Sequence, residues 1–247
     1  MIEQIPYCGT PPSPGELLSR FNLDPPLILA LLALAIAHLS RVNSARERCY
    51  ATAGWAIAAA AFVSPLCALS VSLFTARIAQ HTILLLGAAP LIALGLPRRR
   101  PPRTTVGLWV AACGFLMALW FWHMPIPYDS TFASTTLYWL MHITLFGSAI
   151  ALWRELLQHA PMRAADALIV ATFTSLQMSL LGAVLTLAST PLFYSHLLTT
   201  QQWGLSPLED QQLGGVLMWV PGMLLFVWTA LRSLWRLWSE LEVTRAP

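Results

Sequence analysis

Apolar residues run along this chain in long unbroken blocks, separated by short polar stretches rich in arginine and proline. The blocks span residues 51–74, 78–96, 106–122, 136–153, 167–188 and 213–231, with a shorter one at 27–39. About 20 apolar residues are needed for a helix to cross the hydrocarbon core of a bilayer. The pattern predicts an all-α, polytopic transmembrane helix bundle of about seven spans. Pro25 and Pro26 suit the start of the short first span, where a missing N–H costs nothing. No Gly-rich linker, repeat or low-complexity block divides the chain. The reading is an outer polar tail over 1–24, one seven-helix membrane domain over 25–240 and a cytoplasmic tail over 241–247.

Composition agrees with that pattern. Of 247 residues 57% are hydrophobic and only 10% charged, where a soluble domain carries roughly a quarter charged. All 14 basic residues are arginine, and their placement orients the chain, because cytoplasmic loops collect basic residues. With the N-terminus outside and the C-terminus in the cytoplasm, twelve of the 14 face the cytoplasm. They are Arg41, Arg46, Arg48, Arg98, Arg99, Arg100, Arg103, Arg154, Arg163, Arg232, Arg236 and Arg245. Arg20 and Arg77 remain outside. No stretch interleaves basic and aromatic residues on a polar surface, so nucleic acid is set aside as a partner; the lipid bilayer is the expected one. Residues 1–24 carry Glu3, Glu16 and Asp24 against one arginine and lack a basic segment followed by an apolar run, so they read as a retained tail. The four cysteines are scattered. Only Cys8 lies freely outside in this topology, which predicts no disulfide within the chain.

In the block at 167–188, Thr172, Ser175, Ser179, Gly182 and Thr186 form one small, polar face, and Gly215 and Gly222 flank Met218 in the last span. These read as packing seams.

The histidines carry the candidate chemistry. In the expected topology His81 lies about one turn below the outer surface, His123 at the outer end of its span, and His142 six residues into the next. His196 falls in an outer loop, while His38 and His159 sit at the cytoplasmic side as interface residues. A lone intramembrane histidine is most often bonded to a neighbouring helix. Three from different spans at one depth bring a shared metal site level with that reading. Neutral imidazole is the commonest metal ligand, and thioether sulfur suits monovalent copper. Met124 beside His123, and Met218 at similar depth, complete a His/Met set favouring copper over zinc, calcium or magnesium. Arg77 shares a helix face with His81. Two roles stand side by side for it: keeping the imidazole neutral, or reaching lipid phosphates. The segment from Pro125 to Asp129 caps the cluster as a loop. Glu209 and Asp210 lie in a loop that opens the last span, with helix capping the expected role for Asp210. No phosphate loop, nucleophile elbow or paired intramembrane carboxylate appears, so an enzyme is not expected.

Three segments then resemble the caa3-type cytochrome c oxidase assembly factor family, the multi-spanning CtaG proteins of bacterial cytoplasmic membranes. They are Ala76-Arg-Ile-Ala-Gln-His81 followed by 84–95 with Ala89-Pro90; Trp122-His-Met-Pro125 with His142 downstream; and Asp210-Gln-Gln-Leu-Gly-Gly-Val-Leu-Met-Trp-Val-Pro-Gly222. The resemblance implies help in maturing a haem–copper oxidase by supplying or inserting copper, with oxidase subunits as partners. It carries His81, His123, His142, Asp210, Gln211 and Met218 as motif positions. Some members have a histidine where this chain has Arg77, which leaves the ligand count open. Two other readings stand beside this one: a haem-binding redox protein with His81 and His142 as axial ligands, and a small-molecule or metal permease. The almost wholly apolar cytoplasmic halves of the third and fifth spans count against transport.

Overall fold

The computed structural model describes residues 5–97, 104–159 and 164–245, with the side chains of 158, 159 and 240–245 outside the description. Arg98, Arg99, Arg100, Arg103 and Arg163, which carry much of the charge asymmetry, lie outside the described residues. Among the described residues the architecture is all helical. In chain order come α1 (Pro25–Leu39), α2 (Ala45–Val63), α3 (Leu66–Ser72), α4 (Phe74–Thr82), α5 (Ala89–Gly95) and α6 (Val106–Trp122). There follow α7 (Pro125–Ala133), α8 (Thr135–Arg154), α9 (Ala164–Leu187) and α10 (Pro207–Arg245).

Four helical stretches are long and apolar enough to cross a membrane: Phe74–Gly95, Thr135–Leu157, Ala164–Leu187 and Pro207–Ser239. Two bent pairs raise the number to six if each is one span: α2 with α3, bent by 48°, and α6 with α7, bent by 73°. The α1 helix has 15 residues, about 22 Å at 1.5 Å per residue, against about 30 Å of hydrocarbon.

Proline sets both bends. The apolar block at 51–74 is not one helix, because Ser64 is extended at φ −68°, ψ 168° and α3 begins after Pro65. A residue before proline is pushed from the α region to extended backbone, as Met124 also is, at ψ 145° before Pro125. The segment from Pro125 to Asp129, expected as a loop, is therefore the first turn of α7, with proline at the helix start. Glu209 and Asp210 likewise belong to a helix, the first turn of α10, and not to a loop.

The α4–α5 span is the axis of the bundle. It is 61% buried, against 33–44% for the other three long spans. It packs on α2, α8 and α10, while α6 closes on α8 and α9. A π-helical turn at Ile83–Ala88 joins its halves. The turn lies just before Pro90, which has no N–H to return to the preceding carbonyls. The freed Leu85 carbonyl accepts the Trp153 indole N–H at 2.8 Å, which ties α8 to the axis. The outward faces stay apolar, with Leu29, Leu32, Leu34 and Ile36 of α1 and Ile169, Leu176 and Leu180 of α9 exposed. His38 accepts the Trp55 indole N–H at 3.0 Å, joining α1 to α2.

The α9 and α10 helices pack in close contact. A Cβ on Gly182 would stand 2.9 Å from the Gly215 carbonyl oxygen, and one on Gly215 would stand 2.7 Å from that of Gly182. The small face of α9 is thus a seam at Gly182 and Thr186. Further along, Thr172, Ser175 and Ser179 instead line a cavity of about 460 Å³ with Trp219 and Met223.

The end of the bundle that carries the N-terminal segment departs from expectation at the cysteines. Cys8 is disulfide-bonded to Cys67, so the expectation of no intrachain disulfide is corrected. The break at Ser64-Pro65 takes Cys67 out of a continuous span and into α3, where the N-terminal segment folds back to meet it. Tyr7 donates to the Asp24 carboxylate at 2.5 Å. Burial first, and that carboxylate second, push the Tyr7 phenol well above its ordinary range.

Replacing Gly215 with alanine forces its Cβ against the α9 backbone. The expected cost is about 1–3 kcal/mol, as for other overpacked positions. Thermal unfolding of the detergent-solubilised variant should show a lowered midpoint, with Gly114→Ala unchanged because nothing lies within 4 Å of its Cβ direction.

Candidate metal centre

Three helices deliver the imidazoles. His81 sits in the last turn of α4, against the π-helical turn. His123 caps the C-terminus of α6, immediately before the proline bend. His142 lies on the buried face of α8, whose start is capped by Ser134 accepting from the Leu137 N–H at 3.3 Å. All three side chains are 3% exposed. The ring centroids of His81 and His123 stand 5.5 Å apart, and those of His81 and His142 stand 5.3 Å apart.

Hydrogen bonding defines the tautomers of two rings. His123 Nδ1 lies 2.6 Å from the Leu119 carbonyl oxygen, and His142 Nδ1 lies 2.9 Å from that of Tyr138. A carbonyl has no proton to give, so each Nδ1 is the donor and each neutral ring keeps its lone pair on Nε2. Both Nε2 atoms are buried without a hydrogen-bond partner, as are both ring nitrogens of His81. Nδ1–H on a backbone carbonyl with a free Nε2 is how proteins hold imidazole for a metal.

Imidazoles bound to one ion at about 2 Å place their centroids roughly 5–6 Å apart. The observed spacing falls in that range. Among the described residues, however, no three His, Cys, Asp or Glu side chains are drawn close enough to hold an ion as they stand. The centroid distances establish a cluster of rings around His81.

Aromatic side chains wall the pocket. Tyr138, one turn before His142, has its ring 4.3 Å away, and Phe62 approaches at 5.1 Å. Arg77, one turn before His81, is 1% exposed. Its guanidinium lies 4.0 Å from the Phe132 centroid and 5.3 Å from that of Tyr128, and its Nη1 donates to Thr131 Oγ1 at 2.7 Å. The alternative in which Arg77 reaches lipid phosphates is corrected: α7 folds over it, and ring faces take the charge. The sequence reading missed Tyr138, Thr131 and Phe132. For Tyr138 the four-residue spacing to His142 was the available signal; Thr131 and Phe132 arrive through the proline bend, which has no periodic signature.

Met124 is half exposed at the α6–α7 junction, whereas Met218 is buried in the main apolar core with Met141 and Ile78. The Asp210 carboxylate accepts from the Phe74 N–H at 2.6 Å and the Thr75 N–H at 3.0 Å. It therefore caps α4, a helix far away in sequence. Gln211 accepts from the Leu192 N–H at 2.7 Å and donates to the Leu185 carbonyl at 3.2 Å. Asp129 takes the Tyr194 and Ser195 N–H groups, both at 3.1 Å. These polar residues anchor the α9–α10 connection and the start of α4. His196, in the connection between α9 and α10, is buried with its Nε2 2.7 Å from the Tyr128 hydroxyl. Burial, and then the Arg77 guanidinium, hold its imidazole down to about 3.

A model of the cytochrome c oxidase caa3 assembly factor family matches residues 29–240. No curated protein and no solved structure matches the chain.

Two outcomes test the frame around the centre. Asp210→Ala leaves two helix N–H groups unpaired, at an expected cost of about 2–4 kcal/mol, read as a lowered unfolding midpoint in detergent; Asp210→Asn should recover part of it. For His196 the folded imidazole takes its proton at about 3, against roughly 6.5 when unfolded. The unfolded state therefore binds the proton first, and stability should fall as pH drops from about 6.5 towards 3. His196→Asn should flatten that acid limb in a pH series of unfolding midpoints.

Proposed function

The chain belongs to the cytochrome c oxidase caa3 assembly factor family, and from that premise we propose that it handles copper destined for the oxidase through its histidine pocket. The observation that carries the reading is the trio of buried imidazoles His81, His123 and His142, with their outward nitrogens unpartnered. An orphaned buried nitrogen costs desolvation energy that a bound ion would offset. The donor set fits monovalent copper: neutral imidazole in a dry, aromatic pocket. The buried Arg77 guanidinium sharpens that choice, because a nearby positive charge opposes a divalent ion twice as strongly as a monovalent one. His81, His123 and His142 would hold the ion, Arg77 would set the local charge, and Tyr138 would position His142 through its carbonyl. Met218, buried in the main apolar core, remains a candidate thioether. Ring centroids 5.3 Å apart, with Tyr138 and Phe62 packed on His142, favour a small ion over a haem.

The same reading places the centre in the outer leaflet of a bacterial cytoplasmic membrane, with seven spans, the N-terminus outside and the C-terminus in the cytoplasm. The arginine asymmetry supports it, and so does the Cys8–Cys67 disulfide, since such bonds persist in oxidising compartments. Oxidase subunits are the proposed partners, and the role is delivery, with no reaction catalysed.

Two experiments bear on this. A reporter active only in the cytoplasm should give signal when fused after Pro247; signal from a fusion after Asp129 would overturn the orientation. His81→Ala combined with His142→Ala should weaken copper binding by roughly tenfold or more, and membranes should then hold copper-deficient oxidase of low activity. Normal oxidase activity and copper content at matched levels of this protein would sink the delivery role.

A further inference from the structure

The disulfide at the outer rim lies directly against the histidine pocket. The Tyr138 hydroxyl is 3.5 Å from Cys8 Sγ and 3.8 Å from Cys67 Sγ. The same Tyr138 ring has its centroid 4.3 Å from that of His142. One aromatic side chain therefore touches both the two sulfurs and the imidazole cluster. Tyr7, next to Cys8, stacks on Tyr138 at 4.8 Å and meets Trp139 edge-on at 5.0 Å. The disulfide thus clamps the N-terminal segment across the wall of the pocket. Asn22 Nδ2 adds a donor 3.5 Å from Cys67 Sγ.

We propose that Cys8 and Cys67 form a redox-controlled binding site for a soft monovalent metal ion at the entrance to the histidine pocket. Oxidised, the pair offers no thiolate and holds Tyr7 over Tyr138. Reduced, it offers two sulfur ligands from positions whose Cα atoms are 5.4 Å apart, close enough for one ion to bridge both. Thiolate is the ligand that selects monovalent copper over harder cations. The Tyr138 hydroxyl and the Asn22 amide are placed to donate to the thiolates. The proposal builds on the histidine reading for its purpose, though not for its sulfur chemistry.

The redox step balances with a dithiol reductant. One thiolate of the reductant attacks a sulfur of the Cys8–Cys67 bond, giving a mixed disulfide, and its second thiol displaces the remaining protein sulfur. The protein bond gains two electrons and two protons, and the reductant becomes a disulfide. Binding of the metal ion then releases the two thiol protons to solvent.

The test uses the full chain in detergent with Cys49→Ser and Cys113→Ser, since both of those thiols are free and exposed. The protein is titrated anaerobically with monovalent copper against a chromogenic chelator, as isolated and after phosphine reduction. Reduction should add one equivalent of tightly bound copper, with sulfur scattering at about 2.3 Å in X-ray absorption. Oxidised and reduced forms are the same polypeptide, so a folding defect cannot imitate the result. Adding Cys8→Ser and Cys67→Ser should abolish the extra equivalent. With His81→Ala and His142→Ala in place of those, the count should rise from zero to one on reduction. If the histidine reading fails, wild type also rises from zero to one. An unchanged count on reduction, or an added equivalent without sulfur scattering, overturns the dithiol site.

Discussion

A polar side chain on an apolar span has to be enclosed inside the bundle, and α4 carries three within five residues: Arg77, Gln80 and His81. A charged side chain at the centre of a membrane helix costs about 2.5–3.5 kcal/mol on insertion scales. The remaining architecture answers that constraint. Gln80 donates to the Ala61 carbonyl of α2 at 2.9 Å, Arg77 is enclosed by the rings and hydroxyl of α7 and α8, and His81 turns to the two other imidazoles. Burying this face from several sides makes α4–α5 the axis of the fold. The lipid-facing helices can then remain almost featureless.

Side chains distant in sequence hold that axis in place. Asp210 caps α4 from the start of α10, Gln211 secures the backbone at Leu192 and Leu185, and Asp129 gathers the turn at Tyr194–His196. The polar pair Asp210 and Gln211 is in this structure a set of backbone anchors. It orders the frame from which α4 presents His81. A mutation there should act on the imidazole cluster through position, by letting α4 shift.

Two departures from regular helix bring the centre together. The π-helical turn before Pro90 changes the register just below His81 and frees the Leu85 carbonyl for Trp153. The bend at Met124-Pro125 ends α6 at His123 and swings α7 over Arg77. Both sit at proline, where the backbone lacks an N–H. The loss is compensated by a side chain in one case and by a new helix start in the other.

The sequence by itself determined the all-helical class, the apolar helices long enough to cross a membrane and the family, because apolar length and short motifs are local properties. It also singled out His81, His123 and His142, whose rings meet around His81. Only the tertiary structure decided which polar groups meet. The Ser64-Pro65 break brought Cys67 within reach of Cys8, the α7 bend buried Arg77 under Phe132, and Asp210 capped a helix well over a hundred residues away. Each of these is a contact between segments distant along the chain. Such contacts depend on the angle at which two helices leave a break, and no periodicity in the sequence encodes that angle.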